Sequence, residues 1–218
     1  MDLRLREVLV PSLKKFQLGE SGDGPRLRAH ARASGTAAYA AAIELFVKEE
    51  QTHARLLGDA IRALGGETLQ RHWSHSWFAR LRRLSGLRTE LLVLMMAEII
   101  GLRYFRALRD GIDNPVLYRL FAQIVADEEA HVDFHCDALC QMFAGQSWVM
   151  RGPARIAWNL FFDAVCTVML LDHGEVLLAV GESRDDFRQR CKEMLAEMCR
   201  RIFSDPAAVH AKACASSH

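Results

Sequence analysis

Apolar residues recur every three or four positions along most of this chain, the spacing of helices that bury one face. The pattern predicts helices over 36–65, 88–111, 115–143, 153–181 and 184–203. Gly65-Gly66 ends the first of these. "DGIDNP" at 110–115 predicts a compact helix–helix turn, with Asn114 as the cap and Pro115 at the first helical position. "GQSW" and "RGP" mark a break near 145–153, and "GESRDD" at 181–186 separates the last two helices. Residues 4–34 have helical composition but contain Pro11 and then "GESGDGP" at 19–25. Gly and Pro disfavour helix interiors, so a helix bent or interrupted near Pro25 is expected.

Connection lengths turn this list into an architecture. The short turn at 110–115 makes its two helices antiparallel neighbours. A much longer link joins 65 to 88, with a short helix of its own expected from the spacing of Trp73 and Trp77. Two helical hairpins joined by one long crossover form a four-helix bundle. The expected division is a bundle over 1–145, a two-helix extension over 146–205 and a flexible tail over 206–218. "ARIAWNLFFDAVCTVMLL" in the extension is interrupted only by polar residues such as Asn159 and Asp163. An apolar surface of that size must be covered, by the bundle or by a partner subunit, so a homodimer through these helices is expected.

Composition narrows the function. Half of the 218 residues are hydrophobic, and the formal net charge is +1. That balance argues against a polyanion as the partner, so nucleic acid is not expected. The basic-aromatic stretch "RHWSHSWFARLRR" reads as an amphipathic crossover helix, and His72 and His75 within it lack neighbouring carboxylates. The six Cys form no C-x-x-C pair. "MDLRLREVLV" lacks the apolar stretch of a signal peptide, and no run of about 18 charge-free apolar residues occurs. A cytoplasmic protein without a membrane span is the expectation.

Chemistry enters through the apolar seams. Ile43, Phe46, Glu50, His53, Leu57 and Leu64 share one helical stripe. Leu91, Leu94, Glu98, Gly101, Phe105 and Leu108 share another, and Leu117, Phe121, Ile124, Glu128, His131, His135 and Ala138 a third. Each stripe carries a carboxylate where a core residue belongs, and Glu98 lies within "LLVLMMAEIIGL". A buried carboxylate costs several kcal/mol unless it is paired or bound to a metal. One Glu-x-x-His could arise by chance, but two occur, Glu50–His53 and Glu128–His131. Glu20 precedes Glu50 by 30 residues and Glu98 precedes Glu128 by 30; the two sets are offset by 78. This is the mark of a duplicated hairpin, each copy contributing Glu … Glu-x-x-His. Residues three apart on a helix point to one side, so each pair can approach one ion. Carboxylate with imidazole suits iron or manganese, and four Glu with two His is a set that holds two ions in a bundle core.

With these motifs, "FQLGES" and "ELFVKEEQTHARLL", residues 10–145 resemble the ferritin-like superfamily, its rubrerythrin-like branch in particular. The resemblance implies an all-α ferritin-like four-helix bundle with one long crossover, here followed by two additional C-terminal helices. It implies a di-iron site, with Mn/Fe or Mn/Mn as variants. Glu50 and Glu128 would be bridging carboxylates, His53 and His131 nitrogen ligands, and Glu98 and Glu20 terminal carboxylates. "GESGDGP" is a poor helix interior for Glu20, and Asp23 is the alternative there. The implied activity is that of an oxidoreductase using dioxygen or hydrogen peroxide, an external electron donor and an unidentified small-molecule substrate. The leading form is an oxidase or oxygenase. A peroxide-reducing or iron-handling stress protein and a metal-free interaction module are the competitors.

The chain departs from the pattern in instructive places. Gly101 stands where rubrerythrin-like peroxidases carry a further Glu, and no rubredoxin-like iron domain is present. Gly101 would leave room beside the metals or permit close helix packing. His135, one turn past His131, extends the seam as a third imidazole with a catalytic role or as a core histidine. Asp127 or Asp133 is expected to hold a ligating imidazole. Glu49 and Glu129 flank the ligands and face solvent or support them. Tyr39 and Tyr104 are redox candidates or packing residues. Asp172-His173-Gly174-Glu175 reads as a helix kink with solvated charges or as an entrance.

Overall fold

The seam spacing becomes helix throughout. The computed structural model describes residues 2–22, 24–33, 36–69, 87–144 and 148–203. The helices are α1 (Leu3–Glu20), α2 (Gly24–Ala33), α3 (Ala37–Ala63), α4 (Leu87–Gly111), α5 (Pro115–Ala144), α6 (Trp148–Ala179) and α7 (Arg184–Phe203), and no strand occurs among the described residues. The fold is all-helical. Asp23, the crossover residues His72, Trp73, His75 and Trp77, and the tail 206–218 lie outside the described residues.

Local chemistry sets the boundaries. Asn114 Oδ1 accepts from the backbone N–H groups of Val116 and Leu117, at 3.0 and 3.1 Å, and caps α5 ahead of Pro115. Gly65 and Gly181, with φ of 73° and 84°, end α3 and α6. In each case the next residue's N–H reaches back to the helix, Gly66 to Ile61 O at 2.8 Å and Glu182 to Leu177 O at 2.9 Å. The N-terminal interruption falls at Ser21–Gly22, just before the expected place, and Pro25 sits in the first turn of α2, where its missing N–H costs nothing. Pro11 is accommodated inside α1, and α6 begins ahead of Pro153 rather than at it.

Packing follows the seams. α1 lies against α3, α4 against α5, and α3 meets α5 across the two pairs. The first pair is joined through α2, which packs on α3, and not by a tight turn. Every seam residue of α4 and α5 named above is buried, and α4 is apolar nearly all round because it is covered on all sides. α6 packs on α1 and α4, and α7 on α4 and α5. Trp158 Nε1 donates to Leu92 O at 3.0 Å, Lys15 pairs with Asp172 at 3.1 Å, and Arg103 pairs with Glu182.

Candidate metal centre

Four helices bring the predicted carboxylates and imidazoles to one level of the bundle. Glu20 ends α1, so the Gly-rich run that follows it breaks the helix after the residue rather than around it. Glu50 and His53 project from α3, Glu98 from α4, and Glu128 and His131 from α5. Two groupings result: Glu20, Glu50, His53 and Glu128, and Glu50, Glu98, Glu128 and His131, each with potential ligand atoms within 4.8 Å of one another. Glu50 and Glu128 belong to both.

The distances explain the sharing. His53 Nδ1 lies 3.5 Å from Glu50 Oε1 and 3.5 Å from Glu128 Oε1. His131 Nδ1 lies 3.4 Å from Glu50 Oε1, 3.5 Å from Glu98 Oε2 and 3.8 Å from Glu128 Oε2. These contacts are long for hydrogen bonds, yet suit atoms gathered around a common ion at bonds of about 2.1 Å. His53 Nδ1, His131 Nδ1 and Glu50 Oε1 are buried and have no hydrogen-bond partner. Buried polar atoms are ordinarily satisfied, so this trio is the observation that tests the fit of a metal pair. The residues fit it.

The outer face of each imidazole is held. His53 Nε2 donates to Asp127 Oδ2 at 3.0 Å, and His131 Nε2 donates to Glu49 Oε2 at 3.0 Å. Each bond crosses between the halves of the sequence repeat, because the residue before the Glu of one half's Glu-x-x-His grips the other half's His. Such a bond turns Nδ1 inward, where a metal that displaces its proton would meet the lone pair. Of the supporting residues considered from the sequence, Asp127 and Glu49 take this role. Asp133 instead pairs with Arg201, and Glu129 with Arg106. Glu49 and Asp127 are themselves 78 residues apart, the signal by which the sequence could have identified both.

Electrostatics reflects four carboxylates crowded into an apolar core. Burial raises Glu98 well above the ordinary range, and the charges on Glu128 and Glu50 add to it. Desolvation raises Glu20 likewise, with Glu50 and Glu128 contributing. Burial also disfavours the charge on Glu128, but His131 and His53 outweigh it and hold this group down at about 2. Burial would lower both imidazoles, yet the facing carboxylates lift His53 to about 10 and His131 to about 12.

His135 belongs to neither grouping. It is fully buried, with Phe46 edge-on at 4.7 Å and Phe134 at 5.1 Å. Phe46 also meets His131 edge-on at 4.7 Å, so one ring packs against both imidazoles of α5. A Cβ built on Gly101 would meet only Phe16 Cε1, at 4.0 Å, so a methyl group fits there and close helix packing does not require the glycine. A pocket of about 360 Å³, its open mouth included, lies where α1 gives way to α2. Leu27, Phe46, Val47 and Leu94 give it an apolar wall, and Glu20 and Glu50 line it.

Sequence reasoning missed further buried polar groups. Glu90 is fully buried and bonded at 2.6 Å to His30 Nδ1. In the run Asp172–Glu175, Asp172 bonds Lys15 and His173 bonds Ser12, so these two side chains dock α6 onto α1 instead of standing in solvent. Comparison with family models, with curated proteins and with solved structures found no match.

Proposed function

We propose that this chain is a ferritin-like dinuclear metal protein, most naturally di-iron, that activates dioxygen or peroxide with electrons from an external donor. The observation that carries the reading is the pair of inward-facing, unpartnered imidazole nitrogens that share two carboxylates. Glu50 and Glu128 would bridge; His53 with Glu20, and His131 with Glu98, would complete the two ends. Bound iron would supply the electrons that reduce the O–O bond, and manganese could stand in for either ion.

The protein's own part is physical. Four carboxylates match the charge of two divalent ions, which allows a charged site inside an apolar bundle. Asp127 and Glu49 orient the imidazoles, and Phe46 packs edge-on against His131. The pocket between α1 and α2 gives small molecules a route to Glu20 and Glu50. Glycine at 101, where a peroxidase would carry a further carboxylate, supports an oxidase or oxygenase. A peroxide-reducing stress protein would use the same residues.

Loading the protein with ferrous iron under anaerobic conditions, followed by exposure to air, tests the reading. The expected result is two iron ions per chain and a new absorption band on oxidation, both lost in Glu128→Ala. A protein that retains neither iron nor manganese and shows no spectral change excludes it. Comparing the rates of oxygen and peroxide consumption then separates oxidase from peroxidase.

A further inference from the structure

Three buried polar side chains from three helices lead away from the ligand cluster. Tyr104 on α4 is fully buried, and its phenol oxygen lies 2.6 Å from Ser12 Oγ on α1. Ser12 Oγ in turn lies 2.7 Å from Nδ1 of His173 on α6. A hydroxyl has one proton to give and lone pairs to accept with. Ser12 can therefore accept from the phenol and donate to the imidazole at once. Phe16 stacks on Tyr104 with ring centroids 4.1 Å apart and planes 15° apart. That ring sits one helical turn before Glu20, and its Cε1 would lie 4.0 Å from a Cβ built on Gly101, three residues past Glu98. A single aromatic ring thus lies between Tyr104 and the ligand-bearing turns of α1 and α4. Along α4, the six residues from Glu98 to Tyr104 span roughly 9 Å.

An oxidisable phenol next to an electron-accepting site is useful only if its proton has somewhere to go. Burial holds the Tyr104 phenol above its ordinary range, so the ring does not shed that proton beforehand. His173, 8% exposed, is the third member of this hydrogen-bonded chain. We propose that Tyr104 is a one-electron donor to the dinuclear centre, with Ser12 and His173 as its proton relay. The proposal rests on the dinuclear reading above. One electron leaves Tyr104 for the oxidised metal pair, and the phenol O–H bond breaks. Its proton passes to Ser12 Oγ as the proton of Ser12 passes to His173 Nδ1. The products are a neutral phenoxyl radical, an imidazolium and a metal pair reduced by one electron.

Freeze-quenched electron paramagnetic resonance on the iron-loaded full chain, after mixing with oxygen or peroxide, is the test, with iron content measured on the same samples. The expected result is a tyrosyl signal in the wild type that Tyr104→Phe abolishes while two iron ions remain bound. Ser12→Ala keeps the phenol but cuts the relay; it should slow radical formation by roughly a hundredfold at unchanged iron content. Iron bound with no radical, or a signal that survives Tyr104→Phe, overturns the proposal and leaves the metal reading standing. Radical formation unaffected by Ser12→Ala overturns the relay. Absence of bound iron overturns both.

Discussion

At the scale of single residues, the crossed hydrogen bonds of Asp127 and Glu49 are the most testable feature. Outer carboxylates fix the orientation of a ligating imidazole, and their loss ordinarily weakens metal binding about 10–100-fold. Glu49→Gln and Asp127→Asn are each expected to weaken binding by that order, measured by competition with a chelator, with the fold intact by circular dichroism. Unchanged affinity in both would show that these contacts do not orient the ligands. Protonation gives a second prediction. With His53 at about 10 and His131 at about 12, both imidazoles hold protons at neutral pH in the metal-free cluster. A metal must displace them, so affinity should rise with pH, and calorimetry in buffers of different ionisation enthalpy should detect proton release on binding. Binding without proton release would contradict the raised values.

At the scale of elements, two glycines predict opposite outcomes. Gly101 lies within α4 with room for a methyl group, so Gly101→Ala should stabilise the protein by about 0.5–1 kcal/mol. At Gly24 a Cβ would sit 2.5 Å from Val47 Cγ1, so Gly24→Ala should cost about 1–3 kcal/mol. Denaturant unfolding of the two variants distinguishes them, and equal shifts would refute the contrast. Most helices were legible because burial imposes a period on the sequence: the seams of α3, α4 and α5 carry their carboxylates and imidazoles at that period. The carboxylate–imidazole cluster was legible through its repeat, for Glu20 and Glu98 stand at the same distance before their partners. Tyr104, Ser12 and His173 were not legible as a unit. Ser12 and His173 are 161 residues apart, and their meeting depends on how α6 docks on α1, which no local period encodes. Glu90 was hidden for the same reason, since its partner His30 comes from α2.

For the whole molecule, α6 is the element with unfinished business. Its inner face buries Trp158, Phe162, Cys166, Met169, Leu170, Val176 and Leu177. Its outer face exposes Ala157, Leu160, Ala164, Thr167, Leu171 and Leu178, at the alternating spacings of three and four (and once seven) by which two helices interlock. Leu160 and Leu171 are 68% and 73% exposed. By length and composition Gly152–Ala179 could also cross a membrane, but Asp172 bonds Lys15 and Asp163 pairs with Lys192 on α7. Light scattering is expected to find a dimer, and Leu160→Glu with Leu171→Glu a monomer of unchanged helicity. A monomeric wild type that partitions onto lipid vesicles would exclude the dimer.

The crossed grip on the imidazoles also bears on ancestry. If each half descends from one hairpin, that hairpin carried a nitrogen ligand but no carboxylate placed to steady it. Only a second copy, turned about a two-fold axis, could have supplied one. The ancestral centre would then have assembled only as fast as hairpins met, and would have fallen apart on dilution. Joining the copies through the 65–88 link makes that encounter intramolecular, so assembly of the present centre no longer depends on how much protein the cell holds.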